Sequence, residues 1–294
     1  MYRIILFLIL TVLLSCKGGE QMVSAPQYPS PMEEHIRPHL RVDGADFLGK
    51  RIEIEGVFQK NPVIFIHEHN QQDSVNLLIH FHGHESILAH AIGQNKDWVG
   101  VSVNLGSGSA AYAAPFLEKE GFDTLLSVIL ANLNKPIRGI YLSGFSAGYG
   151  AVRAILRTGH YESVQGVLLL DGLHASYVPE RIPFADGGKV KEEDLDVFLR
   201  LAEDAIATRK KFVFTHSSVF PGTFVSTTET ADFLLEAMDM RREAVLGAGP
   251  LGMQQVGESA KGNFKVLAFA GNTAPDHIDH LHALFHFLKY LAGE

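Results

Sequence analysis

The segment Gly144-Phe145-Ser146-Ala147-Gly148 has the spacing G-x-S-x-G. A serine set between two glycines and followed by alanine suits nucleophilic chemistry. On a sharp turn its hydroxyl stands clear of the backbone, and only small neighbours let the chain turn there without clashes. A serine hydroxyl is a weak nucleophile by itself, so the chain must also bring a general base to it and a third group to orient that base. Histidine is the natural base. Of the fifteen histidines, two groups stand out: His80, His82 and His84 in LLIHFHGHE, and His277, His280, His282 and His286 near the carboxyl terminus. The first group spells H-x-H-x-H, a spacing that places three imidazoles on one side of a strand, as a zinc ion would need. Gly83 interrupts that strand, and the rest of the chain suits serine chemistry without a metal, so neither a metal nor another cofactor is expected.

These residues need a rigid frame. Arg51 to Phe58 and Pro62 to Glu68 read as two strands joined by a turn around Lys60-Asn61. SVNLLIHFHGH, DWVGVSVNLG, IRGIYLSGF, SVQGVLLLDG, KKFVFTHS and NFKVLAFAG read as six more. Their apolar runs are continuous rather than alternating, which marks strands covered on both faces. Helical patterns follow the serine in AGYGAVRAILRTG and recur over Ala113 to Asn132, Glu192 to Ala207, Thr228 to Arg241 and Ile278 to Ala292. The expected fold class is α/β: three layers, with a mostly parallel eight-stranded sheet and helices on both faces. Ser146 then falls between the strand Ile137 to Phe145 and a helix, the context that G-x-S-x-G requires, with Gly144 and Gly148 as the glycines of the elbow.

With its strands in this order and the elbow after the fifth, the chain from Arg51 to Glu294 resembles the α/β-hydrolase superfamily. The resemblance implies a nucleophile, an acid and a histidine in the chain order Ser, Asp or Glu, His. Ser146 is the implied nucleophile. The implied acid is Asp171, which ends GVLLLD and so falls on the same rim of the sheet. The next strand runs into Phe214-Thr215-His216-Ser217-Ser218 with no acid before Glu229, and Glu229 and Asp232 suit the first turn of a helix. The implied base lies after the last strand, where His277 is the first choice and His280, one turn on, the reserve. His82-Gly83-His84 implies an oxyanion hole made by the amides of His84 and Ala147. The implied reaction is hydrolysis of a carboxylic ester, small or glycan-linked, through an acyl-enzyme. A peptidase or amidase of the same fold, and a non-catalytic binding protein on this scaffold, are the alternatives.

Other patterns have plainer readings. Gly247-Ala248-Gly249-Pro250-Leu251-Gly252 spells G-x-G-x-x-G but follows a helical segment, contains proline and opens no βαβ unit, so it reads as a loop and not a dinucleotide site. Ser226-Thr227-Thr228-Glu229 reads as a capping box. Gly106-Ser107-Gly108-Ser109 falls on the active rim, as a turn or as site lining, and Phe145 and Tyr149 are candidates for substrate contact or packing. The stretch from Gly172 to Lys191 is too short for a large lid.

At the amino terminus, Arg3 precedes an apolar run from Ile4 to Leu14, shorter than the roughly 20 residues of a spanning helix. Leu13-Leu14-Ser15-Cys16 then resembles a bacterial lipobox, which implies a signal peptide over 1–15, lipid on Cys16, and a location at the bacterial cell envelope, facing the periplasm or the exterior. Residues 16–43 are polar and carry Pro26, Pro29, Pro31 and Pro38, so they read as a tether, leaving one domain over 44–294. The single cysteine excludes a disulfide scaffold, and a net charge of -8 speaks against nucleic acid as a partner.

Overall fold

The computed structural model describes residues 38–42 and 47–293. The segment read as a signal peptide, Cys16 and most of the segment read as a tether lie outside the described residues. No helix among the described residues is long and apolar enough to cross a membrane.

In chain order the elements are β1 (Gly49–Glu53), β2 (Val63–His67), β3 (Val75–Phe81), α1 (Glu85–Gln94), β4 (Trp98–Val103), α2 (Ser109–Ala113), α3 (Lys119–Asn132), β5 (Ile137–Phe145), α4 (Tyr149–Ile155), β6 (Val164–Leu170), β7 (Tyr177–Val178), β8 (Lys189–Val190), α5 (Asp196–Ile206), β9 (Lys211–His216), α6 (Thr227–Ala237), β10 (Glu243–Ala248), β11 (Gln254–Lys261), β12 (Phe264–Phe269), α7 (Ala274–His282) and α8 (Leu284–Ala292). All the strands but β7 and β8, which pair as a small hairpin, join one sheet in the order β1-β2-β4-β3-β5-β6-β9-β12-β11-β10. The six strands from β4 to β12 in that order run parallel, and antiparallel strands close both edges.

Continuous apolar strands produce the layers because side chains alternate between faces. On β3, Leu77, Ile79 and Phe81 enter one core while Leu78 enters the other; on β6, Val167 and Leu169 oppose Leu168 and Leu170. The first core is closed by α3 to α6 through residues such as Phe122, Ile155, Phe198 and Leu234. The second is closed by α1 and α8 through Leu88, Ile92, Phe287 and Leu291. This is the three-layer α/β-hydrolase arrangement expected from the sequence.

Several details depart from expectation. Among the described residues the sheet has ten strands rather than eight, because β10 and β11 form an antiparallel edge; Leu246 there is 83% exposed, and half-polar edge segments lack the apolar run that marks a buried strand. Gly247 and Ala248 belong to β10, and the loop read over G-x-G-x-x-G begins only after them. Between β3 and β4 the sequence reading had no helix. Two adjacent parallel strands need a crossover, and α1 supplies it, burying Ile87, Leu88, Ala91 and Ile92. The helix expected over Ile278 to Ala292 is two helices meeting at Ala283, and Ile278 is exposed while Leu281, Leu288 and Leu291 are buried. Residues 38–42, read as tether, are docked on α7: Val42 N donates to His282 Nδ1 (3.0 Å), His39 Nδ1 lies 2.9 Å from Asp279 Oδ2, and Arg41 pairs with Asp279.

The parallel register decides what shares the rim. Phe81 is level with Gly144, Phe145 with Leu170, and Leu170 with Thr215. The residues that leave the strands at their carboxyl ends, among them His82, Ser146, Asp171 and Ser217, are thereby brought side by side.

Candidate active site

Ser146 leaves β5 with φ +45° and is followed by a single helical turn that leads into α4. The elbow is this tight because Gly148 lies against β3: a Cβ at 148 would stand 2.2 Å from Phe81 O. Gly172, which the sequence reading did not single out, backs Ser146 in the same way, since a Cβ there would stand 2.4 Å from Ser146 N. Three residues other than glycine with positive φ, His82 (+73°), Ser146 (+45°) and Asp171 (+42°), follow the ends of β3, β5 and β6. Such conformations cost of order 1–3 kcal/mol each and persist only where the surroundings hold them.

Asp171 is 1% exposed, and four donors meet its carboxylate. Oδ1 accepts from Ser217 N (3.0 Å) and Thr227 Oγ1 (2.6 Å); Oδ2 accepts from Ser217 Oγ (2.5 Å) and His277 Nδ1 (2.8 Å). Burial pushes this carboxyl group up, but the field of His280 and the hydrogen bonds from His277 and Ser217 outweigh it and hold the group well below the usual carboxylate range. A ring nitrogen that faces a carboxylate is the one that carries a proton, so Nδ1 is the donor to Asp171. His277 sits in the first turn of α7, whose start is held by a capping box in which Thr273 Oγ1 donates to Asp276 Oδ2 (2.7 Å). Its ring packs on Phe145, the residue before Ser146, with centroids 4.6 Å apart. No hydrogen bond links Ser146 Oγ to His277, and catalytic hydrogen bonds commonly tighten only once substrate is bound.

The other candidates occupy different surroundings. His280 is fully buried and not on the helix surface, with Nδ1 2.7 Å from Thr215 Oγ1 and its ring against Phe269 and Phe287. Glu229 completes the capping box with Ser226 and accepts from Tyr177 Oη, and Asp232 pairs with Arg242. His80, His82 and His84 do not converge, because the turn at His82 breaks the strand alternation. His80 is buried beside Ser143 Oγ (3.1 Å), His82 meets Tyr112 Oη (2.8 Å), and His84 is exposed and caps α1 by accepting from Ser86 N. Burial pushes His80 down to about 3. Burial and then the nearby His277 also lower His82.

Beside Ser146 opens a cavity of about 610 Å³, lined by His82, Ser107, Gly108, Ser109, Ser146, Ala147, Tyr149, Arg153, His174, Ala175, Ser176, Asp194 and Phe224. The glycine-serine turn after β4 thus lines the site, as does Tyr149. Ala147, an expected oxyanion donor, is at the cavity; His84 is not among its lining residues, and its side chain is turned to Ser86. Sequence reasoning missed Ser217 and Thr227, which hold Asp171, and the lining pair Arg153 and Asp194. The signal for Ser217 was a polar Thr-His-Ser-Ser run at the end of an otherwise apolar strand.

No family model and no curated protein matches this chain. Among solved structures, an acetyl xylan esterase from Aspergillus awamori aligns with 81% of this chain and 100% of its own at 12% identity and a TM-score of 0.46. Est1E from Butyrivibrio proteoclasticus aligns with 83% and 99% at 10% identity and a TM-score of 0.44. A truncated carbohydrate esterase from gut microbiota aligns with 85% and 99% at 13% identity and a TM-score of 0.47. Likeness at that level bears on neither activity nor substrate. By its own sheet order and its strand-serine-helix elbow, the chain has the α/β-hydrolase fold.

Proposed function

We propose that this protein is a serine hydrolase that opens carboxylic esters through an acyl-enzyme on Ser146. The reading is carried by one observation: His277 Nδ1 lies 2.8 Å from Oδ2 of the buried Asp171, which leaves Nε2 as the ring nitrogen available to Ser146 on the same rim. In the proposed reaction Nε2 takes the Ser146 proton as Oγ adds to the ester carbonyl, and then gives that proton to the departing alcohol. Water, deprotonated by the same nitrogen, releases the acid. Asp171 stays charged and stabilises the imidazolium. The amides of Ala147 and His84 are the proposed donors to the oxyanion, a role of backbone groups that does not depend on where the His84 ring points.

The test is labelling with a fluorophosphonate followed by peptide mass spectrometry, together with turnover of p-nitrophenyl acetate. Modification of Ser146 and acetate release are expected. Folded protein that is neither labelled nor active would refute the hydrolase reading and favour a binding protein on this scaffold. A matched p-nitroanilide separates esterase from amidase.

The envelope location belongs to the same proposal and rests on the lipobox-like Leu13-Leu14-Ser15-Cys16. Two or more acyl chains on Cys16 would tether the protein stably, where a single chain binds only marginally. Full-length protein expressed in a bacterium is expected in the membrane fraction, and Cys16→Ser is expected to abolish lipidation.

A further inference from the structure

Near Ser146 the cavity is polar, and its charged groups come as a pair. Arg153 lies two helical turns beyond the nucleophile on α4, with Nη1 3.3 Å from Asp194 O and 3.9 Å from Asp194 Oδ1. Asp194 accepts from Ser176 N (2.8 Å). Both side chains are about one-fifth exposed, at 20% and 19%, so the pair is held in place yet reachable from the cavity. A guanidinium already balanced by a carboxylate offers no net charge to an anionic substrate. What it offers is a fork of donors beside an acceptor. A pair of neighbouring hydroxyls, each both donor and acceptor, is complementary to that arrangement in a way that neither a carboxylate nor an alkyl chain is. The serine hydroxyls of the lining extend the same chemistry. Aromatic rings line the same cavity: Phe224 is 40% exposed and set edge-on to His174 at 4.9 Å, His174 meets Tyr149 at 5.6 Å, and the Arg153 guanidinium lies 5.2 Å from the centre of the Tyr149 ring. An exposed aromatic ring and paired donors and acceptors within one cavity match a pyranose, which has C–H groups on its faces and hydroxyls on its rim.

Building on the hydrolase reading, we infer that Arg153, Asp194 and Phe224 form a sugar subsite beside Ser146, so that the substrate is an acylated sugar and not a simple alkyl or aryl ester. Arg153 and Asp194 bind hydroxyls and orient the ester; they take no part in proton transfer.

The test compares two acetates of matched shape, a methyl glucopyranoside acetylated on its primary hydroxyl and cyclohexylmethyl acetate, which has the ring without the hydroxyls. For the full-length wild-type enzyme, kcat/KM is expected to favour the sugar ester by about ten-fold or more, because a site built to bind hydroxyls rejects the analogue lacking them. In Arg153→Gln and Asp194→Asn this ratio is expected to collapse towards one, chiefly through KM for the sugar ester, with Arg153→Lys retaining part of it. Equal turnover of both acetates by the wild type overturns the subsite, as does an unchanged ratio in folded variants. If a variant does not fold, the wild-type ratio still decides. Labelling of Ser146 without turnover of the sugar ester overturns the subsite alone, whereas loss of both labelling and turnover removes the hydrolase reading and the subsite with it.

Discussion

The two ends of the parallel strands each carry a cavity, and they are built differently. At the amino ends a cavity of about 460 Å³ is bordered by Gly49, Ile66, Asn70, Val75, Val99 and the turn from Asn132 to Lys135. Of its charged groups Lys50, Glu68 and Lys135, the last is spent locally: Lys135 Nζ donates to Asn70 O (2.8 Å) and to Asn70 Oδ1 (3.1 Å), which fixes a connection between strands. The carboxyl ends hold the larger cavity, with His82, Ser146 and Asp171 in left-handed conformations and a histidine whose Nε2 is left free by the bond its Nδ1 makes to Asp171. Both ends are concave and polar. Only one combines backbone strain with an oriented titratable pair, and that combination, more than the cavity itself, separates a site that could react from one that closes a fold.

The contrast can be broken most severely at the proposed nucleophile. Ser146→Ala is expected to lower kcat for p-nitrophenyl acetate by about a thousand-fold or more, with the melting temperature little changed. The proposed base comes next. His277→Ala is expected to approach the same loss, while His280→Ala, which empties a packed position, is expected to act mainly on stability; equal and mild losses of activity in the two would overturn the assignment. Asp171 depends on its cradle, so Ser217→Ala, which removes the hydroxyl at 2.5 Å, is expected to lower kcat about ten-fold and to destabilise the fold by about 1.5–3 kcal/mol, read by urea unfolding.

Acid should expose the strain of burying histidines near this end. Burial pushes His80 from 6.5 down to about 3, and burial with the Arg242 charge pushes His216 down to about 4. Below 6.5 the unfolded chain therefore binds protons that the folded chain refuses. Stability is full above 6.5 and falls as pH drops towards those values, by about 1.4 kcal/mol per pH unit for each group. The depressed Asp171 adds a loss of the same sign below its ordinary value of 3.8. Unfolding free energies measured from about pH 7 to about pH 5 should show this slope, and His80→Asn should flatten it by one group's share. The smallest effect is expected at the other end: Lys135→Met should cost about 1–3 kcal/mol of stability and leave ester turnover unchanged.

Where local pattern and burial coincide, the sequence was legible. Ile137 to Phe145 was read as a strand and is β5 residue for residue, because its apolar run ends at the glycine and serine of the elbow. The capping box at Ser226 was equally plain, since its partners stand three residues apart. The weakly amphipathic α1 lay between two far stronger apolar strands and went unread. The edge strands β10 and β11 bury too little to leave a run. Ser217 and Thr227 were invisible as ligands of Asp171, since nothing local in either segment points to a carboxylate 46 or 56 residues away.

The sequence by itself determined the layers and the elbow, because both follow from short-range rules: continuous apolar strands must be covered on both faces, and a serine between glycines can take a turn that bulkier surroundings forbid. It also narrowed the chemistry to a serine, a few histidines and a few acids. Only the tertiary structure decided which of them meet. His277 and Asp171 are 106 residues apart, and their bond exists because the parallel register of β5, β6 and β9 brings strand ends level while α7 turns its first residues back over them. A register is a property of paired strands, and it is written in no one of them alone.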